Sequence, residues 1–235
     1  MNNANPRPVA TAPAYGAQAS VLETNKVLRN TYMLLSVTLL FSAAMAGVSM
    51  AINAPYGLSL ICSLVALGLL WFVIPRTANS ANGIYVVFAV TGLLGFGLGP
   101  VLNMYLKGFA NGSQLIMMAF GLTGAIFIGL SAYAVQTKRD FSFMRGFLFG
   151  GILLAFVLSI GVLVASLFGY YFQPLALAIS GMFALLMCGL ILYQTGDIVN
   201  GGETNYILAT VTLYVSIYNL FTSLLHLLGF AAGED

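Results

Sequence analysis

Apolar residues run through this chain in blocks of about 20. That is longer than the alternation of a surface strand or the narrow apolar stripe of a soluble helix. The blocks occupy 30–53, 56–75, 83–106, 113–136, 143–168, 172–194 and 203–229, and each is long enough to cross a hydrocarbon core as a helix. Turn or boundary residues fill every gap: Asn53-Ala54-Pro55, Pro75-Arg76, Lys107-Gly108, Lys138-Arg139-Asp140, Gly169 to Pro174, and Gly201-Gly202. The pattern predicts an all-α integral membrane protein with seven transmembrane helices. The short connection at 53–56 predicts that the first two helices are antiparallel neighbours. Residues 1–19 lack periodicity and predict a disordered tail. Ser20 and Glu23 then form an S-x-x-E capping box, which predicts a helix start. The chain thus divides into a tail, 1–20, and a transmembrane domain, 21–235.

Composition agrees with lipid as the solvent. Hydrophobic residues make up 60% of the 235 and charged ones 6%, against roughly 25% charged in soluble domains. A net charge of +2 and no basic run longer than Lys138-Arg139 give no footprint for nucleic acid. Cys62 and Cys188 both lie inside apolar blocks, too far apart and without the polar company of a disulfide framework or a zinc site. No metal or cofactor is expected. The first 20 residues are polar and Ala/Pro-rich, with no signal peptide. Arg7, Lys26, Arg29, Arg76, Lys138, Arg139 and Arg145 fall on the amino-terminal side of the seven-span layout, and Lys107 alone on the other. Cations near helix ends are retained in the cytoplasm, so the amino terminus is expected inside and the carboxyl terminus in the periplasm.

Polar residues inside the blocks mark where helices meet. In the last block Asn205, Ala209, Thr212, Ser216, Asn219, Ser223 and His226 recur at steps of 4 and 3, which places them on one helical face. Such a stripe cannot face lipid, so the seventh helix is expected to be surrounded by the others. Interhelical hydrogen bonding is the preferred reading of the stripe, and the lining of a polar path the other. His226, the single histidine, reads as a packing residue before a proton relay. Small residues suggest further close contacts: Gly121, Ala125 and Gly129 in the fourth span, Gly146 and Gly150 in the fifth. Gly92, Gly95, Gly97, Gly99 and Pro100 crowd the third span and predict a kink or local unwinding near 97–100, with Asn103 a candidate to compensate the carbonyl freed at Phe96. Asp197 is expected in an interfacial ion pair with Arg76 or Arg145. An intramembrane protease would need Ser with His at matched depth, or two Asp; neither set is present, and no enzyme is expected.

Five segments together resemble the Bax inhibitor family of multispan proteins: NKVLRNTYMLLSVTL (25–39), TGLLGFGLGPVLNMYL (91–106), TKRDFS (137–142), GGETNYILAT (201–210) and LYVSIYNLF (213–221). The resemblance covers the chain after about residue 24 and fades over residues 1–20. It implies a seven-helix fold with the last helix central. It is narrowest to a bacterial branch, which implies an inner-membrane protein that associates with the ATP-dependent protease FtsH, alongside the regulators HflK and HflC. It further implies a slow substrate of that protease, engaged through the cytoplasmic tail (Met1, Asn2, Asn3, Arg7), which modulates its action on membrane proteins. Other members look like pH-sensitive cation leaks gated by two carboxylates, in a Y-D-T motif and in L-Y-x-D-x-x-N-L-F. Here those positions are Gln194 and Ser216, and neither side chain exchanges a proton near neutral pH; a pH-sensitive cation (calcium or proton) leak is the alternative function, and it would need Asp197 to substitute.

Overall fold

The computed structural model describes residues 14–170 and 172–233. Met1, Asn2, Asn3 and Arg7, the residues expected to engage a protease, lie outside that range. Among the described residues, seven helices have the length and composition to cross a membrane. They are α1 (Ala14–Ala51), α2 (Tyr56–Thr77), α3 (Asn82–Gly108), α4 (Gly112–Thr137), α5 (Ser142–Leu167), α6 (Gln173–Val199) and α7 (Tyr206–Gly233). No strand occurs among the described residues.

The first helix begins at Ala14, so Ser20 is not its amino-terminal cap. The sequence Ala-Tyr-Gly-Ala-Gln-Ala-Ser is rich in the best helix former, and a helix already nucleated by the span behind it extends at little cost. In α2, residues Leu69–Val73 form a π-helical turn, with Ile74 N–H donating to the Leu69 carbonyl. The wider turn accommodates Pro75, which has no N–H to offer the carbonyl one turn back.

Two helices form the centre. Of the most apolar window of α7, 61% is buried, and of α3, 50%; the value for α5 is 11%. The seventh helix therefore sits inside the bundle and shares that place with the third. α3 inserts between α1 and α2 and packs against both, so the two arms of the first hairpin lean on α3 instead of on each other. Glycine makes this possible. Gly95 and Gly99 bring α3 against α1: a Cβ on Gly95 would fall on the Ser42 carbonyl, and one on Gly99 would lie 2.5 Å from Ser49 Cβ. Gly97, on the opposite face, meets Ser59 and Cys62 of α2.

The helix runs unbroken through Gly97–Pro100, without the local unwinding that the Gly/Pro crowding predicts. Packing on both sides holds it, and Ser59 of α2 adds a hydrogen bond to the Gly97 carbonyl. Asn103 Nδ2 donates instead to the Met50 carbonyl of α1, at 3.1 Å.

The small-residue runs of α4 and α5 make no such contacts. Gly121, Ala125, Gly129, Gly146 and Gly150 are exposed, and a Cβ on any of these four glycines would meet nothing within 4 Å. The glycine of α5 that does pack is Gly151, against Leu186 of α6.

Candidate functional site: the polar core around the last helix

A turn of glycines and a cap set the entry of α7. Gly201 takes φ +77°, and Gly202 N–H and Gly201 N–H close on the carbonyls of Asp197 and Ile198 at 2.8 and 3.1 Å, the Schellman pattern that ends α6. Asn205 then caps α7, its Oδ1 accepting from Ile207 N–H at 2.9 Å and Leu208 N–H at 3.2 Å. Its Nδ2 donates to the Ala78 carbonyl at 3.0 Å and to Asn79 Oδ1 at 2.8 Å, which ties the α6–α7 turn to the α2–α3 turn. These bonds give the GGETN segment a local reason.

The middle of the stripe behaves differently from its ends. Ser216 is fully buried, yet its Oγ donates to the Thr212 carbonyl of its own helix at 2.7 Å. Asn219 Nδ2 likewise donates to the Val215 carbonyl at 2.8 Å. Ala209 and Ser223 are buried and Thr212 is half-buried. At the far end His226 Nδ1 meets Ser180 Oγ of α6 at 2.7 Å. The stripe therefore reaches across helices at Asn205 and His226, while Ser216 and Asn219 satisfy themselves within α7.

The bonds that clasp the centre come from residues off the stripe. Tyr214, 1% exposed, lies with its Oη 2.6 Å from Ser42 Oγ of α1 and 3.2 Å from the Thr91 carbonyl of α3. The phenol has one proton, which goes to the carbonyl, so Ser42 donates to the phenol. Thr210 Oγ1 bonds its own helix at Tyr206 and lies 3.3 Å from the Thr31 carbonyl of α1. Sequence periodicity passed over Tyr214 because a tyrosine in an apolar block reads as part of the lipid or packing face. Its membership of the LYVSIYNLF segment was the available signal.

Gln194 of α6 is buried, and its Nε2 has no partner. Next to it Thr195 Oγ1 lies 3.5 Å from Ser131 Oγ of α4. The positions corresponding to the family's carboxylate pair are thus an amide and a self-bonded hydroxyl. Asp197 makes no ion pair with Arg76 or Arg145. Arg76 turns Nη1 back to the Phe72 carbonyl at 2.8 Å, while Arg145 acts on Asp197 only electrostatically. The Asp197 carboxylate is held against the Gly202 backbone by the Schellman turn. Among the described residues no group of three His, Cys, Asp or Glu could hold a metal.

Among the described residues, seven apolar helices around a hydrogen-bonded centre make a multi-pass membrane protein. The chain belongs to the Bax inhibitor family: the family described as "Inhibitor of apoptosis-promoting Bax1" matches residues 24–233. It is similar to an "Uncharacterized membrane protein" of Vibrio cholerae, 48% identical over 91% of this chain and 93% of that one. To "Modulator of FtsH protease YccA" of Escherichia coli K12 it is 49% identical, over 92% of this chain and 95% of the relative. "Protein lifeguard 4" of mouse is more distant, 29% identical over 91% of this chain and 87% of its own length.

Proposed function

We propose that this protein is an inner-membrane modulator of the protease FtsH, acting as a bound partner and slow substrate and carrying out no catalysis itself. The observation that carries the reading is the 49% identity, over nearly the whole of both chains, to a protein named as such a modulator. The neutral core supports it, since Gln194 and Ser216 provide no titrating pair for a pH-gated cation leak. The face bearing Lys26, Arg29, Arg76, Lys138, Arg139 and Arg145 is the cytoplasmic one by the rule that retains cations there. HflK and HflC join the complex as FtsH regulators.

In this reading the amino-terminal tail, with Met1, Asn2, Asn3 and Arg7, is the handle. An enzyme that extracts membrane proteins grips an end that reaches its pore, and each residue ahead of the described helix can add at most about 3.3–3.6 Å. The helical extension from Ala14 to the start of the apolar span at Leu22 adds about 12 Å at 1.5 Å per residue. The test combines affinity capture from mild detergent with a chase in cells. FtsH is expected to co-purify with the chain. Deletion of residues 2–13 is expected to prolong its half-life in cells that contain FtsH, with binding retained. Capture without FtsH would sink the partnership. Equal decay of the two forms would remove the tail as handle.

A further inference from the structure

We propose that a cleft on the face opposite the amino terminus binds the ammonium headgroup of an aminophospholipid. The cleft encloses about 490 Å³ between the end of α3, the start of α6 and the end of α7, a volume in the range of small-ligand sites. Its walls include Met104, Tyr105, Phe109 and Phe230, and its polar residues are Gln173, His226 and, through its hydroxyl, Tyr105. Among the described residues no lysine or arginine lines it.

Two features favour a cation with N–H donors. Tyr105 is buried and stacks with Phe109, ring centroids 5.4 Å apart and planes at 16°, which leaves the half-buried Phe109 as the ring able to attract positive charge. The second feature is His226. Ser180 Oγ contacts both the Ala176 carbonyl, at 3.1 Å, and His226 Nδ1, at 2.7 Å. With its one proton given to the carbonyl, Ser180 accepts from Nδ1–H, and Nε2 becomes the ring nitrogen left as an acceptor.

The neighbouring cleft supplies the counterpart. About 300 Å³ in volume, it shares Met104 with the first and carries Lys107, whose Nζ already donates to Asn53 Oδ1 at 2.8 Å. An ammonium nitrogen has two further donors, and these suit the phosphate of the same headgroup. The position at a membrane interface, with apolar walls leading inward, fits a lipid drawn from the adjacent leaflet.

The experiment is native mass spectrometry of the delipidated full chain, titrated with phosphatidylethanolamine, phosphatidylcholine and phosphatidylglycerol of identical acyl chains. One phosphatidylethanolamine should be retained at least tenfold more tightly than phosphatidylglycerol. Phosphatidylcholine, which keeps the charge and lacks N–H donors, should fall between them. His226→Phe should lower phosphatidylethanolamine to the level of phosphatidylcholine. Gly233→Trp provides a variant free of core disturbance, because Gly233 is exposed and a Cβ there meets only Phe109 at 3.7 Å; filling the cleft should cost at least fivefold. Phosphatidylglycerol held as tightly as phosphatidylethanolamine, or retention unchanged in Gly233→Trp, overturns the proposal. Phosphatidylcholine held as well as phosphatidylethanolamine overturns the role of Nε2.

Discussion

Helices α3 and α5 both carry glycines spaced four apart, and the two regions use them in opposite ways. Gly95 and Gly99 of α3 sit against the backbone and side chains of α1, while Gly146 and Gly150 of α5 face open space. In lipid, apolar surface alone does not drive helices together, so association depends on close packing and hydrogen bonds. A small-residue pair is therefore permissive: it produces contact only where a partner also offers groups to meet it. α1 offers Ser42 and Ser49 to α3. Beside Gly146 and Gly150, α5 carries the exposed Phe147, Phe149 and Leu153, side chains suited to acyl chains.

The sharpest way to break this comparison is a matched pair of substitutions. Gly95→Leu drives a side chain into the Ser42 carbonyl of α1, and overpacking of that kind is expected to cost about 3 kcal/mol. Gly150→Leu adds an apolar side chain to a lipid-facing surface and should cost less than about 0.5 kcal/mol. Thermal unfolding in a single detergent reads both. Similar losses at the two sites would mean that α5 is covered by a partner in the folded protein.

A smaller effect separates the clasp from the stripe. Tyr214→Phe keeps the ring and removes the hydroxyl that Ser42 and the Thr91 carbonyl share, for an expected loss of about 1–2 kcal/mol. Unchanged stability would show that the α1–α3–α7 junction is held by packing alone. Asn205→Ala comes next. It removes the cap of α7 and the bonds to Ala78 and Asn79, and the cap itself is worth about 1 kcal/mol. Hydrogen exchange should report faster opening at Ile207 and Leu208, while the middle of α7 stays protected.

These differences follow what a sequence can and cannot carry. Span number was legible because a hydrocarbon core demands a fixed length of apolar helix. The burial of α7 was legible because polar groups at 3.5-residue spacing have nowhere else to go. The partners of those groups were not legible. Ser216 and Asn219 had the alternative of bonding their own helix, and periodicity does not distinguish that from an interhelical bond. The central place of α3 was hidden for a related reason: its glycines predicted flexibility, whereas packing from both sides turned them into contact points. Asp197 invited an ion pair by its charge, and the turn geometry at Gly201-Gly202 set its position first.

The smallest effect is expected at Asn219, which on periodicity alone is as firm a member of the stripe as any. Its Nδ2 donates to the Val215 carbonyl one turn back, an oxygen that also faces the regular helix donor and has two lone pairs. Replacing Asn219 by Leu therefore strands no partner on another helix. The half-buried site also gains apolar surface. The expected change is below about 0.5 kcal/mol, less than the mean of about 0.6 kcal/mol for interhelical hydrogen bonds in membranes. The comparison to run is Asn219→Leu beside Tyr214→Phe, in the same detergent and by the same unfolding scan. A loss at Asn219 equal to that at Tyr214 would return the stripe to the role of interhelical glue, with the Asn219 amide oxygen serving a neighbouring helix. A negligible loss would locate the hydrogen bonds that hold α7 in place on the tyrosine face, two residues from Thr212 and Ser216 and on the far side of the helix.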